Sequence, residues 1–483
     1  MSFRRSVARE GPIWLGVIDA VCLLLAVVVG ISARRFLGPY IGFGALDATF
    51  IEYVWGHPGG WLVFCASLIA TNYVVGNYNL QSSVYRFNLF VNWLFALMIG
   101  LLVVSATSFA WFELLLGRGV LLCVVFFYTV FSVFMKAMVY EVMPSSRRFA
   151  CRTVLLGIGE RAQDIKRMVE SQYVIPRHIV HNFIVVPGQD DDSHDRRKAI
   201  DGVPIVRTPL DSLEQTVRDL DPDLIIMCSG TWNEMMHCFP PLRRLRFSGI
   251  EILDVLSAIE LYSGRVPLDL VDEVWMMQAT LKPSMAVVGR LKRLFDLAIA
   301  VILMVIAMPA GVLVWLLIKV SAPCSPAFYA QERVGQFGRI FTMHKFRTMV
   351  EGAEEPGKPV WAQKNDLRVT RLGRFLRRTR LDEIPQLWNV LRGDMSICGP
   401  RPERPEIVAE LQKSIPNFRE RENVPPGITG WAQIQHHYSS TIAETVRKLE
   451  YDFYYIKHLS LRLDIQIVLR TIRIVLFGKE RAT

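Results

Sequence analysis

KRLFDLAIAVILMVIAMPAGVLVWLLI, Lys292–Ile318, is the stretch on which the fold turns. From Leu294 onward it is apolar apart from Asp296, and it is long enough to cross a bilayer, which takes about 20 such residues. Pro309, near its middle, lacks a backbone donor and its ring clashes with the preceding turn, so it kinks or breaks a helix. Two arrangements satisfy this pattern. A straight span puts the chain before it and the chain after it on opposite sides of the membrane. A helix broken at Pro309 enters and leaves by one face, its freed backbone groups satisfied by protein. The residues alone leave both open.

Upstream lie four more apolar runs of near-crossing length, Ile13–Ile31, Phe50–Val75, Val91–Trp111 and Val120–Tyr140. Trp14, Trp55, Trp61, Trp93 and Trp111 fall near their ends, where an aromatic belt is expected. Arg4, Arg5 and Arg9 precede the first run, and Arg147, Arg148 and Arg152 follow the fourth. The positive-inside rule then places both ends in the cytoplasm, as an even number of crossings requires. Arg34 and Arg35 are the exception. The expectation is a four-helix transmembrane bundle over residues 1–145, multi-pass.

Composition narrows the partners. The 483 residues carry 55 basic and 45 acidic side chains, a net charge of +10. Beside membrane segments, such a balance suits lipid headgroups and phosphorylated substrates and does not call for nucleic acid. The eight cysteines form no CxxC pair, which argues against zinc and against a disulfide framework. No small-residue cleavage site follows the first apolar run, so no cleaved signal peptide is expected.

Residues 146–282 change character. Short β-rich runs, Thr153–Leu156, Asn182–Val186, Leu224–Met227 and Ile250–Leu253, alternate with helical patterns in the rhythm of a parallel α/β sheet. The first leads into Gly157-Ile158-Gly159-Glu160-Arg161-Ala162, the loose G-x-G-x-x-A form of a Rossmann-like turn. Either a plain glycine turn or a nucleotide site fits it, and a nucleotide site would give the module a regulatory role. A membrane-anchored NAD-dependent nucleotide-sugar dehydratase would join the same two parts but needs a Tyr-x-x-x-Lys pair; Tyr173 is followed by Arg177 and Tyr262 by Val266. Asp190–Arg197 reads as a solvated charged loop.

Residues 283–483 carry the chemistry, in a basic, loop-rich domain with short helices. Glu351–Asp366, with Pro356, Gly357 and Pro359, reads as a mobile loop. Arg368, Arg371, Arg374, Arg377 and Arg380 recur every three residues, so neighbours share a helix face. Arginine suits bidentate phosphate contacts, and lipid headgroups are the other reading of the row. Asp382-Glu383 come directly after it. Positive neighbours lower a carboxylate's pKa, and an ionised carboxylate is a nucleophile toward phosphorus or a magnesium ligand. Arg392–Ser396, Gly399–Pro405 and Pro425–Gly430 are turn-rich, and the prolines flanking Arg401 hold it rigid. Leu463–Phe477 is either an interfacial helix or a packed terminal one.

These segments resemble the bacterial sugar transferases, monotopic polyprenyl-phosphate phosphoglycosyl transferases. The resemblance rests on Gln331–Gly335, Lys345–Met349, Arg377–Leu387, Gly393–Ser396, Gly399–Pro402, Pro426–Gln433 and Leu449–Tyr455. The layout resembles the family's long form. The resemblance implies a transmembrane helical bundle, an α/β Rossmann-like module and a mostly α catalytic domain whose 294–318 helix is re-entrant, broken near Pro309, with the active site on the cytoplasmic face of a bacterial inner membrane. It implies that Asp382 attacks a UDP-sugar, forms a sugar-phosphoryl aspartate with release of UMP, and yields the group to undecaprenyl phosphate. Glu383, with Asp382, would hold Mg²⁺, and Arg380 and Arg401 would bind phosphate. Asp452, Lys345, Arg347, Arg377 and Asp394 would support them. Galactose-1-phosphate is the group favoured by the resemblance and glucose-1-phosphate the next, for O-antigen, capsule or exopolysaccharide synthesis. A homodimer in contact with membrane lipids is also implied. Pro425 and His344 depart from the family pattern, which bears on substrate contacts there.

Overall fold

The computed structural model describes residues 3–37, 50–75, 77, 86–110, 117–145, 150–171, 178–186, 198–228, 236–271, 273–280, 285–353, 368–436 and 441–477. They divide into two compact units, Met1–Tyr262 and Ser263–Thr483.

The first unit opens with helices α1 (Phe3–Leu37), α2 (Phe50–Gly56), α3 (Pro58–Val75), α4 (Arg86–Ala110) and α5 (Arg118–Ser145). The run Phe50–Val75 is thus two helices, because Pro58 opens a new one where its missing donor costs nothing. α1 packs on α5 and α3 on α4, around Cys22, Ala26, Phe64, Leu68, Val124 and Tyr128. Two polar contacts lie inside: Ser132 donates to Asp19 at 2.7 Å, and the Asn72 amide to Tyr128 at 3.2 Å. Leu15–Phe36 is long and apolar enough to cross a membrane, as is Val288–Ser321 in the second unit; Ala96–Ala106 and Gly119–Met135 are shorter apolar helices. The tryptophan belt needs correction. Trp55 is exposed, but Trp61 and Trp93 are buried inside the bundle, where their large rings fill space between helices. Arg34 is buried too, against Gly119, which explains why it does not obey a rule for loop charges. Trp111, Arg147 and Arg148 lie outside the described residues, as do the side chains of Arg4, Arg5, Arg9 and Trp14.

The rest of the first unit is a six-stranded sheet, order β3-β4-β2-β1-β5-β6, built from β1 (Cys151–Leu156), β2 (His178–Val185), β3 (Ala199–Ile200), β4 (Val203–Arg207), β5 (Leu224–Met227) and β6 (Glu251–Asp254). All pairings are parallel except β3–β4. Helices 160–171 and 255–263 cover one face, and 213–220 and 239–247 the other. β3 and β4 go beyond the strands that periodicity predicts, although Asp201-Gly202 between them, both at positive φ, is a tight hairpin turn. Gly157 and Gly159 stand at φ 111° and 119° between β1 and the 160–171 helix, so the strand–turn–helix context is present. Asp190–Arg197 lies outside the described residues, as does most of Glu351–Asp366.

The second unit begins at Ser263 because the chain there is already tied down. The Gly264 carbonyl accepts from Trp431 Nε1 at 2.7 Å, and Arg265 meets Glu450 at 2.7 Å. Then comes one 37-residue helix, Met285–Ser321. Helical structure runs on through Pro309, so the expected break is a lost backbone donor inside a single helix and not a gap between two. Both halves touch the same domain. Near one end, Asp296 accepts from the Ile397 backbone N–H at 3.0 Å; toward the other, Val314 and Ile318 pack on Phe346 and Leu376. Between them Val301, Ile302, Val305, Ile306 and Met308 are exposed.

The rest of this unit contains an antiparallel hairpin, β7 (Phe328–Val334) and β8 (Ile340–Phe346), and a short parallel pair, β9 (Ser396–Cys398) and β10 (Gly427–Thr429). Short helices surround them. The tail is a packed helix, Leu461–Phe477, with Leu463, Asp464 and Ile467 buried and Ile472 and Val475 exposed.

After β9 the backbone passes β10 with no room for a side chain: a Cβ on Gly399 would lie 2.3 Å from the Pro425 carbonyl oxygen. Gly399→Ala should therefore cost about 1–3 kcal/mol, as overpacking does. Gly289→Ala, facing open space, should not destabilise. Thermal unfolding of the two variants in detergent checks this; equal midpoints would refute the close packing.

Candidate active site

Helix Arg371–Thr379 starts where Thr370 Oγ1 accepts from the Gly373 N–H at 2.9 Å. It ends at Arg380, whose φ of 61° is uncommon for a residue with a Cβ. That reversal turns the chain into a tight turn, Leu381–Glu383, before helix Gln386–Arg392. The arginine row is therefore helical only from 371 to 379. Arg371, Arg374 and Arg378 face outward, while Arg377 Nε donates to Thr348 Oγ1 at 2.8 Å.

The turn buries both acids, and their surroundings differ. Glu383 Oε1 meets Arg401 at 3.1 Å, Arg380 at 3.3 Å and Lys345, on β8, at 3.6 Å. Burial by itself would raise the Glu383 pKa, but Arg401, Lys345 and Arg380 together hold it down to about 2. Asp382 goes the other way. Burial and the adjacent Glu383 charge push its carboxyl above the usual range, against Lys345, Arg377 and Arg380. The expectation that basic neighbours lower both pKa values fails for Asp382, because the cations are spent on Glu383. Asp382 Oδ1 is buried and has no hydrogen-bond partner. Burial, helped by Arg401, brings the Lys345 ammonium down to about 8, although Glu383 and Asp382 oppose this.

The site thus unites Asp382, Glu383, Arg380, Arg401 and Lys345, with Arg377 close enough to act on Asp382 through its charge. Asp452 is one step removed: it pairs with Arg421 at 2.8 Å, and Arg421 also donates to the Arg401 backbone carbonyl at 2.9 Å. Arg347 lies 3.8 Å from Glu351, and Asp394 accepts from Asn389 at 3.4 Å; neither is placed against the acid pair. Gly157 and Gly159 belong to the other unit. Sequence reasoning missed the cluster behind Arg401. There Glu403 meets Lys448 at 2.6 Å and Arg421 at 3.7 Å. Its carboxyl is held at about 2, where Lys448 and then Arg421 outweigh burial. Glu403 stands in the turn-rich segment around Arg401, which is its one signal; nothing in the Arg419–Glu422 charge run distinguishes Arg421 from its neighbours.

The acid pair fits a magnesium ion. Mg²⁺ is commonly held by one or two carboxylates together with substrate phosphates. Asp382 offers an unpartnered oxygen beside an ionised Glu383. Among the described residues no group of three or more His, Cys, Asp or Glu side chains could hold a metal by itself. The phosphates of a substrate would therefore complete the shell.

Residues 287–478 match the family model described as bacterial sugar transferase. The chain is 39% identical over 266 residues to the UDP-N-acetylgalactosamine-undecaprenyl-phosphate N-acetylgalactosaminephosphotransferase of Aeromonas hydrophila, covering 55% of this chain and 59% of that one. It is 30% identical over 361 residues to the UDP-galactose-lipid carrier transferase of Erwinia amylovora, covering 71% and 72%. To the undecaprenyl-phosphate galactose phosphotransferase of Salmonella typhimurium it is 28% identical over 341 residues, covering 67% and 68%. A matched segment that holds every member of the acid and arginine constellation, and a relative aligned over most of both chains, make this chain a member of the bacterial sugar transferase family.

Proposed function

We propose that this protein transfers a hexose-1-phosphate from a UDP-sugar to undecaprenyl phosphate in two displacements at Asp382. A carboxylate oxygen of Asp382 attacks the sugar-bearing phosphorus, the bond to UMP breaks, and UMP leaves with the electron pair. An oxygen of undecaprenyl phosphate then attacks the same phosphorus and frees the Asp382 carboxylate, giving an undecaprenyl diphosphate sugar. The observation that carries this reading is the division of the pair: three cations neutralise Glu383, and Asp382 Oδ1 is buried without a partner. Burial without a compensating hydrogen bond keeps that oxygen reactive. Arg401, Arg380 and Lys345 have N–H groups to spare and bind phosphate oxygens. Mg²⁺, when bound by Asp382 and Glu383, neutralises charge on the transferring phosphoryl group.

Galactose-1-phosphate is the proposed group, supported by the names of the Erwinia and Salmonella relatives. UDP-N-acetylgalactosamine is the first competitor, after the Aeromonas relative, and UDP-glucose, named for other relatives, the next. The proposal includes a bend of the Met285–Ser321 helix at Pro309, so that it enters and leaves the membrane by one face, which is supported by the two halves resting on one domain with apolar residues exposed between them. The site then lies at the cytoplasmic surface, where UDP-sugars are.

Protein incubated with UDP-sugars radiolabelled in the sugar should retain label in the absence of acceptor, most from UDP-galactose. Asp382→Asn should retain none and should lose transfer while still folding; full transfer by that variant would sink the mechanism.

Attack requires ionised Asp382, so kcat/KM should fall as pH drops through its raised pKa. It should also fall as pH rises through about 8, where Lys345 loses its proton. Lys345→Arg keeps the charge and should remove the alkaline limb from the pH profile. An unchanged limb would assign it to another group.

For topology, Cys324, which is exposed just past the helix, and a Gly289→Cys variant near its start are natural reporters. A membrane-impermeant maleimide should reach both from the cytoplasmic side only. Labelling from opposite sides would mean that the helix crosses.

A further inference from the structure

Lys292 and Arg293, two neighbouring charges near the start of the long helix, reach two different segments of the second unit. Arg293 Nη1 donates to the Val390 carbonyl at 2.6 Å and Nη2 to the Leu391 carbonyl at 2.8 Å. These carbonyls end helix Gln386–Arg392, which begins three residues after Glu383. Lys292 Nζ donates to the Cys398 carbonyl at 3.0 Å and to Asp464 at 2.7 Å. One turn on, Asp296 accepts from the Ile397 N–H at 3.0 Å. Ile397 and Cys398 belong to β9, which runs directly into Gly399, Pro400 and Arg401. The Tyr455 hydroxyl completes the knot, 2.8 Å from Asp464 Oδ1 and 3.0 Å from the Cys398 carbonyl.

We infer that Lys292, Arg293 and Asp296 form a bracket that sets the distance between the segment carrying Asp382-Glu383 and the segment carrying Arg401, and so act as positioning residues for phosphoryl transfer. This inference rests on the function proposed above. Lys292, Asp296 and Asp464 are all at least 95% buried. Stability alone is a poor reason for such a set, because a buried ion pair exchanged for well-packed apolar side chains is often neutral or stabilising. What apolar packing cannot supply is two directional contacts from neighbouring residues to two backbones. The Glu383–Arg401 contact at 3.1 Å spans those same backbones, so their spacing decides whether acid and clamp meet. A misplacement of about 1 Å can cost roughly a hundredfold in rate.

The test uses the full-length protein in lipid nanodiscs. Arg293→Gln removes both carbonyl contacts, and Arg293→Lys keeps the charge but can satisfy one carbonyl well. For Arg293→Gln we expect kcat to fall by about 10- to 100-fold, with KM for the UDP-sugar within about twofold and unchanged thermal unfolding. Arg293→Lys should fall between it and the parent. Nitroxides at Trp388→Cys and Glu406→Cys, in a background with the native cysteines replaced, report the spacing directly by electron–electron dipolar coupling. The distance distribution should be narrow in the parent and shifted or broadened in Arg293→Gln. If Arg293→Gln does not fold, the same comparison is made with Arg293→Lys. An unchanged distance distribution in the folded variant overturns the bracket, whether or not kcat has fallen. So does a changed distribution with parental kcat. Failure of the parent to transfer from any UDP-sugar would instead strike the proposed function, and the distance measurement would still decide the bracket.

Discussion

Glu383 Oε1 receives Arg401, Arg380 and Lys345 within 3.6 Å, and each cation comes from a different stretch of chain. Lys345 lies near the end of a hairpin strand, Arg380 caps a helix in a left-handed conformation, and Arg401 sits between two prolines. A buried carboxylate is tolerated only when its charge is met. One buried oxygen draws all three cations, so the three segments that carry them converge on it. The reversal at Arg380 answers the same demand: it brings the guanidinium back over the acid three residues later.

The same interaction explains why adjacent acids behave differently. Cations that lie against Glu383 reach Asp382 only through space, and burial outweighs them there. One member of the pair is charged and held, while the other is desolvated and unpartnered. The held member does not use up its partners. Arginine carries five donors and lysine three, so a phosphate can be bound without displacing Glu383. Behind them Arg421 fixes the Arg401 backbone, and Asp452 acts through Arg421.

Much of this is legible in the sequence where one residue type does one job. The β-rich runs of 150–254 alternate cleanly and appear in the fold as the parallel strands β1, β2, β5 and β6; the Asp201-Gly202 hairpin escapes because its strands are too short for periodicity to show. The acid pair, Arg380 and Arg401 are visible as charges beside turns. Which charges meet is not visible. Arg421 is one basic residue in a run of charges, and Asp464 is one acid in an apolar tail, yet both are buried partners. Trp61 and Trp93 mislead in the opposite sense, because position near the end of an apolar run does not say which way a ring points. Pairing across long sequence separations depends on packing, and packing leaves no period in the chain.

The long helix shows how strongly environment can invert a familiar pattern. In water a helix buries its apolar face and exposes its charges. Here Lys292 and Asp296 are buried, while Val301, Ile302, Val305, Ile306 and Met308 are exposed. Leaving that surface in water would cost about 25 cal/mol for each Å². These five side chains are between 51% and 69% exposed, although both halves of the helix rest on the domain. A lipid phase would remove the cost. The charged start of the helix, by contrast, needs partners that only protein offers, and it finds them on β9 and at the end of the helix just past the acid pair. One element therefore presents an apolar middle and anchors its polar end beside the acid pair.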